Sequence, residues 1–185
     1  MSKLNNMRGI EIPKFRAVSS SLKTHEELFG DNGFNSWIEQ HGHLLKEHIY
    51  EPTSFLWHEG IAFDRASQAF SMGENIMNTL IYAIKDDVTE ADVAPYEITE
   101  FPGGIFLVAT GDESDNDDLE KTIGCMLTWI RNSDVFEYGD FPESGMCNMP
   151  NPDGAFDTAL GIAQQQIYLP LKPRAKAAKT KNLGG

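Results

Sequence analysis

The sequence predicts an α+β fold in which two βαββ units, related by a pseudo-twofold, form a mainly antiparallel curved sheet. Two helices are expected on one face of that sheet and a ligand cleft on the other. Three observations carry this reading. Residues 10–15 (IEIPKF) resemble residues 96–101 (YEITEF), matching at Glu, Ile and Phe with an offset of 86. The dipeptide Ile81-Tyr82 recurs as Ile167-Tyr168 at the same offset of 86. Within each half the hydrophobic period passes from about 2 to about 3.6 and back, the signature of strand, helix and returning strands.

In the first copy, residues 15–18 (FRAV) open a strand. Phe34, Trp37, Ile38, Leu45 and Ile49 then share one helical stripe, weakened at Gly42. Returning strands are expected over 54–59 and 80–85, and the polar stretch 87–95 joins the copies. In the second copy, residues 105–109 (IFLVA) read as a buried strand, and Leu119, Ile123, Met126, Leu127 and Ile130 keep helical spacing. Asp117 with Glu120 would form a capping box at the start of that helix. Returning strands follow over 145–149 and 164–171, and Gly103-Gly104 marks a bend or bulge. The expected organisation is one domain over 1–172, made of repeats 10–86 and 96–172, then a basic, disordered tail over 173–185.

The chain has 185 residues, 15 Lys plus Arg against 28 Asp plus Glu, and a net charge of −13. That field repels phosphate backbones and anionic headgroups, so neither direct nucleic-acid binding nor membrane binding is expected. No apolar run is long enough to span a bilayer, and the first residues lack the apolar region of a secretory signal, which predicts a cytoplasmic protein. Cys125 and Cys147 have no CxxC spacing, so neither a disulfide nor a metal site is expected. His41 and His43 point apart on a helix, and His41, His43 and His48 have no carboxylate at zinc spacing. The acidic run 112–120 lacks the DxDxDG core of a calcium loop and is read as helix capping and solvation. No GxSxG, phosphate-loop or dinucleotide fingerprint occurs, and no cofactor is expected.

Alternation along the last strand sets Ile167, Leu169 and Leu171 under the helices and Gln166, Tyr168 and Pro170 on the open face. The 86-residue offset makes Tyr82 the counterpart of Tyr168, which would bring two phenols to that face. Phe55, Trp57 and Glu59 share a face of their strand, opposite Leu56 and His58. If Trp57 faces the cleft, Glu59 follows and supplies a carboxylate.

The opening PKFRAVSSS, the segment EITEFPGGIFLVATGDES with the acidic-capped helix bearing Trp129 behind it, and the closing IYLPLK resemble the GyrI-like effector-binding domain of the SOUL/GyrI superfamily. The resemblance covers residues 10–172 and implies a pair of βαββ units with a small-molecule cleft between them. Residues 1–9 and those after 172 are too few for a helix-turn-helix, so a standalone member that does not itself regulate transcription is expected. The family cleft uses aromatic walls and an acidic group to hold aromatic, often cationic, molecules. Here Gln166 stands where relatives often carry Glu, and Met146 and Asn148 stand where Glu and Tyr are common, so a cation keeps a charged partner only if Glu59 supplies it, and otherwise neutral or weakly polar ligands are expected.

The function expected is binding of an aromatic or amphipathic small molecule, cationic drug-like compounds included, in a cleft walled by Trp57, Tyr82, Phe106 and Tyr168 and polarised by Glu59 and Gln166. The resemblance implies two alternatives. One is hydrolysis of strained cyclopropanoid compounds, for which Glu59, Tyr82, Tyr168 and Glu143 are the candidate acids and bases. The other is an acidic protein-interaction module that modulates gyrase, since residues 86–120 carry twelve acidic residues and no basic one.

Overall fold

The computed structural model describes residues 5–46, 54–112, 115–140, 147–149 and 164–175. The chain begins as an extended segment bent once, with β1 (Asn5–Ile12) and β2 (Phe15–Ser19) separated by Pro13 and Lys14. A second bent segment, β5 (Glu97–Phe101) and β6 (Gly104–Asp112), is interrupted at Pro102 and Gly103. Pro interrupts a ladder because it has no N–H to donate. Gly103 has φ 74°, and a Cβ there would lie 2.6 Å from the Ile12 carbonyl oxygen, so the crossing requires glycine. The two bent segments pair antiparallel along both limbs, with Ile12 opposite Gly104 and Phe15 opposite Phe101. Phe15 and Phe101 are the matched phenylalanines of the sequence repeat, but Phe15 follows the first bend and Phe101 precedes the second, so they pair without occupying equivalent positions in the two halves.

Between these segments run α1 (His25–Phe29), α2 (Phe34–Gln40), a short 3-10 turn over Gly42–Leu44, and a hairpin of β3 (Ser54–Asp64) and β4 (Ala69–Ala83). At the hairpin tip the Asp64 carboxylate accepts from the Ala66 and Ser67 backbone N–H groups. A one-turn helix, α3 (Glu90–Val93), precedes β5. After β6 come α4 (Asn116–Asn132), β7 (Phe136–Tyr138), β8 (Cys147–Met149) and β9 (Gln164–Pro173).

The sheet order is β1-β6-β9-β8-β3-β4-β2-β5, and β7 pairs with β9. Every pairing is antiparallel. β1 lies at one end of this order and β2 next to the other, yet two residues join them, so the sheet curls strongly. One face is covered by helices. Under α1 and α2 lie Val18, Leu56, Leu80 and Ile84, packed with Leu28, Phe34 and Ile38. Under α4 lie Leu107, Ala109, Ile167, Leu169 and Leu171, packed with Met126, Leu127 and Ile130. The aliphatic set expected beneath the helices on the last strand is therefore there. The curled face gathers Ile12, Ala17, Phe55, Ile81, Phe101, Phe106, Val108 and Tyr168.

Several elements differ from the sequence reading. The helix expected through residue 49 stops at Gln40, where His41 and Gly42 turn the chain and Leu45 bridges to Ile84. Ile49 lies outside the described residues. The α4 cap is Asp115, not Asp117, because the Asp115 side chain accepts from the Asp118 N–H. The strand expected from residue 80 starts at Ala69, pairing down to Asp64 opposite. Its Gly, Asn and Ser content hid that lower half. β9 reaches Pro173, and Arg174 donates to carbonyls at the end of α4, so the expected free tail does not begin at 173. Residues 176–185 lie outside the described residues.

Candidate aromatic site on the curled face

The curled face is built around three nearly parallel rings. Phe55 lies 4.8 Å from Phe101 at 3°, and Phe15 lies 4.8 Å from Phe101 at 20°. Each ring sits on a different strand, and the pleat of each directs it inward. Tyr168 meets Phe55 edge-on at 5.2 Å and 83°, and Phe106 at 6.3 Å and 75°. Edge-to-face pairs place the positive ring edge on a negative ring face, adding about 0.5 to 1.5 kcal/mol each beyond burial. Phe101, Phe106 and Tyr168 are each 1% exposed, so the rings fill the interior of the curl.

Polarity enters at one margin. The Tyr168 hydroxyl donates to Gln166 Oε1 at 2.7 Å, and Gln166 is half-buried. The carbonyl half of the amide accepts from the phenol, while its NH2 group supplies donors. The register seats this pair, since Gln166 stands opposite Thr110 and Tyr168 opposite Val108 on β6.

The structure brings Phe106, Gln166 and Tyr168 together and places Tyr82 elsewhere. Tyr82 lies on the helix-covered face, its ring 6.2 Å from Phe34 and its hydroxyl donating to Asn35 Oδ1 at 3.2 Å. Burial and the Glu39 carboxylate hold its phenol above the ordinary range. The reason is strand phase. On β4, Ile81 faces the aromatic cluster and Tyr82 faces the helices, whereas on β9 Tyr168 faces the cluster and Ile167 the helices. An offset of 86 therefore compares the two halves out of phase by an odd number of residues, which exchanges the faces. The two bends are equal in length, Pro13–Lys14 and Pro102–Gly103, and lie 89 residues apart rather than 86, so the sequence offset misplaces the second half by three residues.

Trp57 and Glu59 belong to β3, opposite Thr79 and Met77, but their side chains lie outside the described residues. Glu143 and Met146 also lie outside the described residues, as does the Asn148 side chain, so the acids expected for hydrolysis at Glu59 and Glu143 have no described geometry. Phe15, Phe55 and Phe101 were not among the expected cleft residues. A signal for them existed, since Phe15 and Phe101 are the repeat's matched aromatics and Phe55 shares the alternation of Trp57.

Other expected features resolve simply. The His41 ring stacks on Trp37 at 4.1 Å, as a helix-packing histidine does, but the His43 ring lies 6.1 Å from it rather than pointing away, because the helix has ended at Gln40, and His48 lies outside the described residues. Among the described residues no group of three His, Cys, Asp or Glu side chains could hold a metal, and no helix is long and apolar enough to cross a membrane. Within the acidic run, the buried Asp118 carboxylate accepts from the Asp112 N–H, tying the loop to α4. A separate groove of about 650 Å³ lies beside the α1–α2 loop, between Lys23, Glu26, Asp31, Tyr96 and Glu97. Its carboxylates partly serve local structure: Glu27 closes a capping box with Thr24, and Glu97 accepts from the Ser21 hydroxyl at 2.6 Å. The aromatic margin, with its oriented amide, is the more specific arrangement.

No protein-family model matches the chain, and no curated protein matches it significantly. Solved structures do share its fold. The chain is similar to EcmrR in its cryo-EM complex with DNA, at 11% identity and a TM-score of 0.55, covering 90% of this chain and 57% of that one. It also aligns with SAV2435 bound to tetraphenylphosphonium, at 12% identity and a TM-score of 0.49, over 91% of this chain and 94% of that one. A bacterial transcription-regulation protein from Staphylococcus aureus MU50 aligns at 9% identity and a TM-score of 0.43, over 90% of this chain and 98% of that one.

Proposed function

We propose that this chain is a small-molecule-binding domain of the effector-binding type, formed from two copies over 10–86 and 96–172. Its ligand is a flat, largely apolar molecule bearing a hydrogen-bond acceptor, held at the aromatic margin by Phe106, Tyr168 and Gln166. The observation that carries this reading is the Tyr168–Gln166 pair at the edge of an otherwise apolar, helix-free cluster. The half-buried Gln166 amide gives orientation, and contact with the rings, of which Phe106 and Tyr168 are each 1% exposed, requires the curl to open around the ligand. Gln166 is neutral, so it offers a cation no charge-assisted bond. The fold likeness to EcmrR supports the architecture alone.

Calorimetric titration tests the reading with two sets of compounds: neutral planar heteroaromatics, and tetraphenylphosphonium as the cationic probe. A neutral acceptor-bearing compound is expected to bind more tightly than the cation. Gln166→Leu should weaken it by about tenfold, the equivalent of one ordinary hydrogen bond of about 1.4 kcal/mol. Absence of binding across the panel, or affinity unchanged in both Gln166→Leu and Tyr168→Phe, overturns the proposal.

A further inference from the structure

A different surface runs against the charge of the whole chain. At the tip of the β3–β4 hairpin and the ends of α4 and β9, a pocket of about 440 Å³ is lined by Arg65, Arg131, Glu137, Lys172 and Arg174, with Gln68 and Tyr138. Four cations converge there from separate segments. Among the described residues two carboxylates, Glu137 and Asp140, are paired with them. Counting the described residues, two positive charges remain in excess there, in a chain whose net charge is −13.

The cationic walls are held in place. Arg65 donates to the Tyr138 and Gly139 carbonyl oxygens at 3.0 and 2.9 Å and pairs with Asp140. Lys172 contacts both Asp140 oxygens at 2.9 and 3.0 Å and lies 3.7 Å from Glu137. Arg174 donates to the Ser133 carbonyl at 2.8 Å and the Ile130 carbonyl at 3.4 Å, filling acceptors at the end of α4, and lies 3.6 Å from Glu137. Side chains fixed this way lose little further freedom when a ligand arrives. Arg131, exposed in the last turn of α4, has neither an ion pair nor a hydrogen bond among the described residues. Its planar fork of five donors is therefore available to a tetrahedral oxyanion.

We propose that this pocket is a second ligand site, independent of the aromatic margin, that binds a small dianionic phosphoryl group through Arg131 within the field of Arg65, Lys172 and Arg174. Two excess positive charges match a phosphate dianion. The distribution of charge also sets ligand size. A small anion sees mainly the local cations at contact range, whereas a long polyanion extends over the negative remainder of the surface and is repelled.

The test is titration of the intact chain at constant ionic strength with inorganic phosphate, glycerol phosphate and a twelve-nucleotide single strand, with chloride and acetate as controls. Phosphate or the monoester should bind with a raised unfolding midpoint, while the controls leave it unchanged. Tighter binding of the monoester than of inorganic phosphate would identify a phosphorylated metabolite as the source, and the reverse order the free ion. Arg131→Ala should lower the affinity at least fivefold with no more than a small change in the midpoint of the unliganded protein, because Arg131 pairs with no other group among the described residues and acts otherwise only on the exposed end of α4. Equal effects of chloride and phosphate, tighter binding of the oligonucleotide than of either small anion, or undiminished affinity in Arg131→Ala overturns the proposal.

Discussion

Phe101 concentrates two consequences of the curled face. It belongs to the repeated hexapeptide, and it lies within ring contact of Phe15, Phe55 and Phe106. Removing it leaves a void bounded by rings that cannot collapse without leaving their rotamers. Phe101→Ala is therefore expected to cost about 3 to 5 kcal/mol in urea unfolding, as buried aromatic truncations do. Phe101→Leu should cost clearly less. At the margin, the informative change is one of charge. Gln166→Glu would place a carboxylate where the Tyr168 hydroxyl already donates, and a charged acceptor strengthens both that bond and any contact with a cation. Affinity for tetraphenylphosphonium should rise by about tenfold or more, roughly 1.4 kcal/mol, while a neutral acceptor-bearing ligand should lose affinity. Equal affinities of the two variants for the cation would place the Gln166 side chain away from the ligand.

Gly103 and the α4 cap show how element-level features were read with unequal success. The Gly103-Gly104 bend was visible as a pair of glycines opening a strand, and its need for glycine follows from the left-handed φ and the close Ile12 carbonyl. Gly103→Ala should destabilise the fold by more than 1 kcal/mol, because strain and the backbone clash act together, whereas Gly124→Ala, exposed in α4 with open space around it, should stabilise by a few tenths up to about 1 kcal/mol. Differential scanning calorimetry of the two variants gives the opposite signs directly. Within a single strand the inward and outward faces were legible, as Ile167, Leu169 and Leu171 against Tyr168 demonstrate. Between copies they were not. Tyr82 was expected to follow Tyr168, but the strand bends of the two halves lie 89 residues apart rather than 86, and an odd shift reverses which face each side chain takes. The short helices α1 and α3 escaped notice because each is one turn closed by a capping box, with too few residues to display a period.

For the molecule as a whole, charge sets the remaining behaviour, through two effects of opposite sign. The first is self-repulsion from the net charge of −13, which weakens the compact state at neutral pH and relaxes as pH falls toward the isoelectric point near 4.7. The second is the local anchoring of carboxylates. Hydrogen bonds from Thr24 hold Glu27 below the ordinary carboxylate range, those from Thr89 hold Asp92 there, and those from Ser67 and Ala66 hold Asp64 there. The Lys46 and Lys172 ammonium groups do the same for Asp86 and Asp140. A depressed folded-state pKa contributes stability that is fully present above the unfolded value, near pH 4, and is lost as pH falls through the folded value. All five groups are exposed, so salt screens them and each contribution is small. Stability should therefore rise modestly from pH 7.5 to about pH 5 and then fall below about pH 4. The ionic-strength dependence separates the causes. At pH 7.5, raising salt from about 10 to about 150 mM shortens the screening length from roughly 30 to 8 Å and should raise the melting temperature by relieving repulsion. At pH 4.7 the same addition should have little effect or a slightly negative one, since only the attractive pairs remain to be screened. Melting curves over this grid, with chloride as the anion so that the cationic pocket is not loaded with phosphate, test the assignment. A melting temperature at pH 7.5 that falls with added salt would mean that the ion pairs outweigh the repulsion of the whole surface.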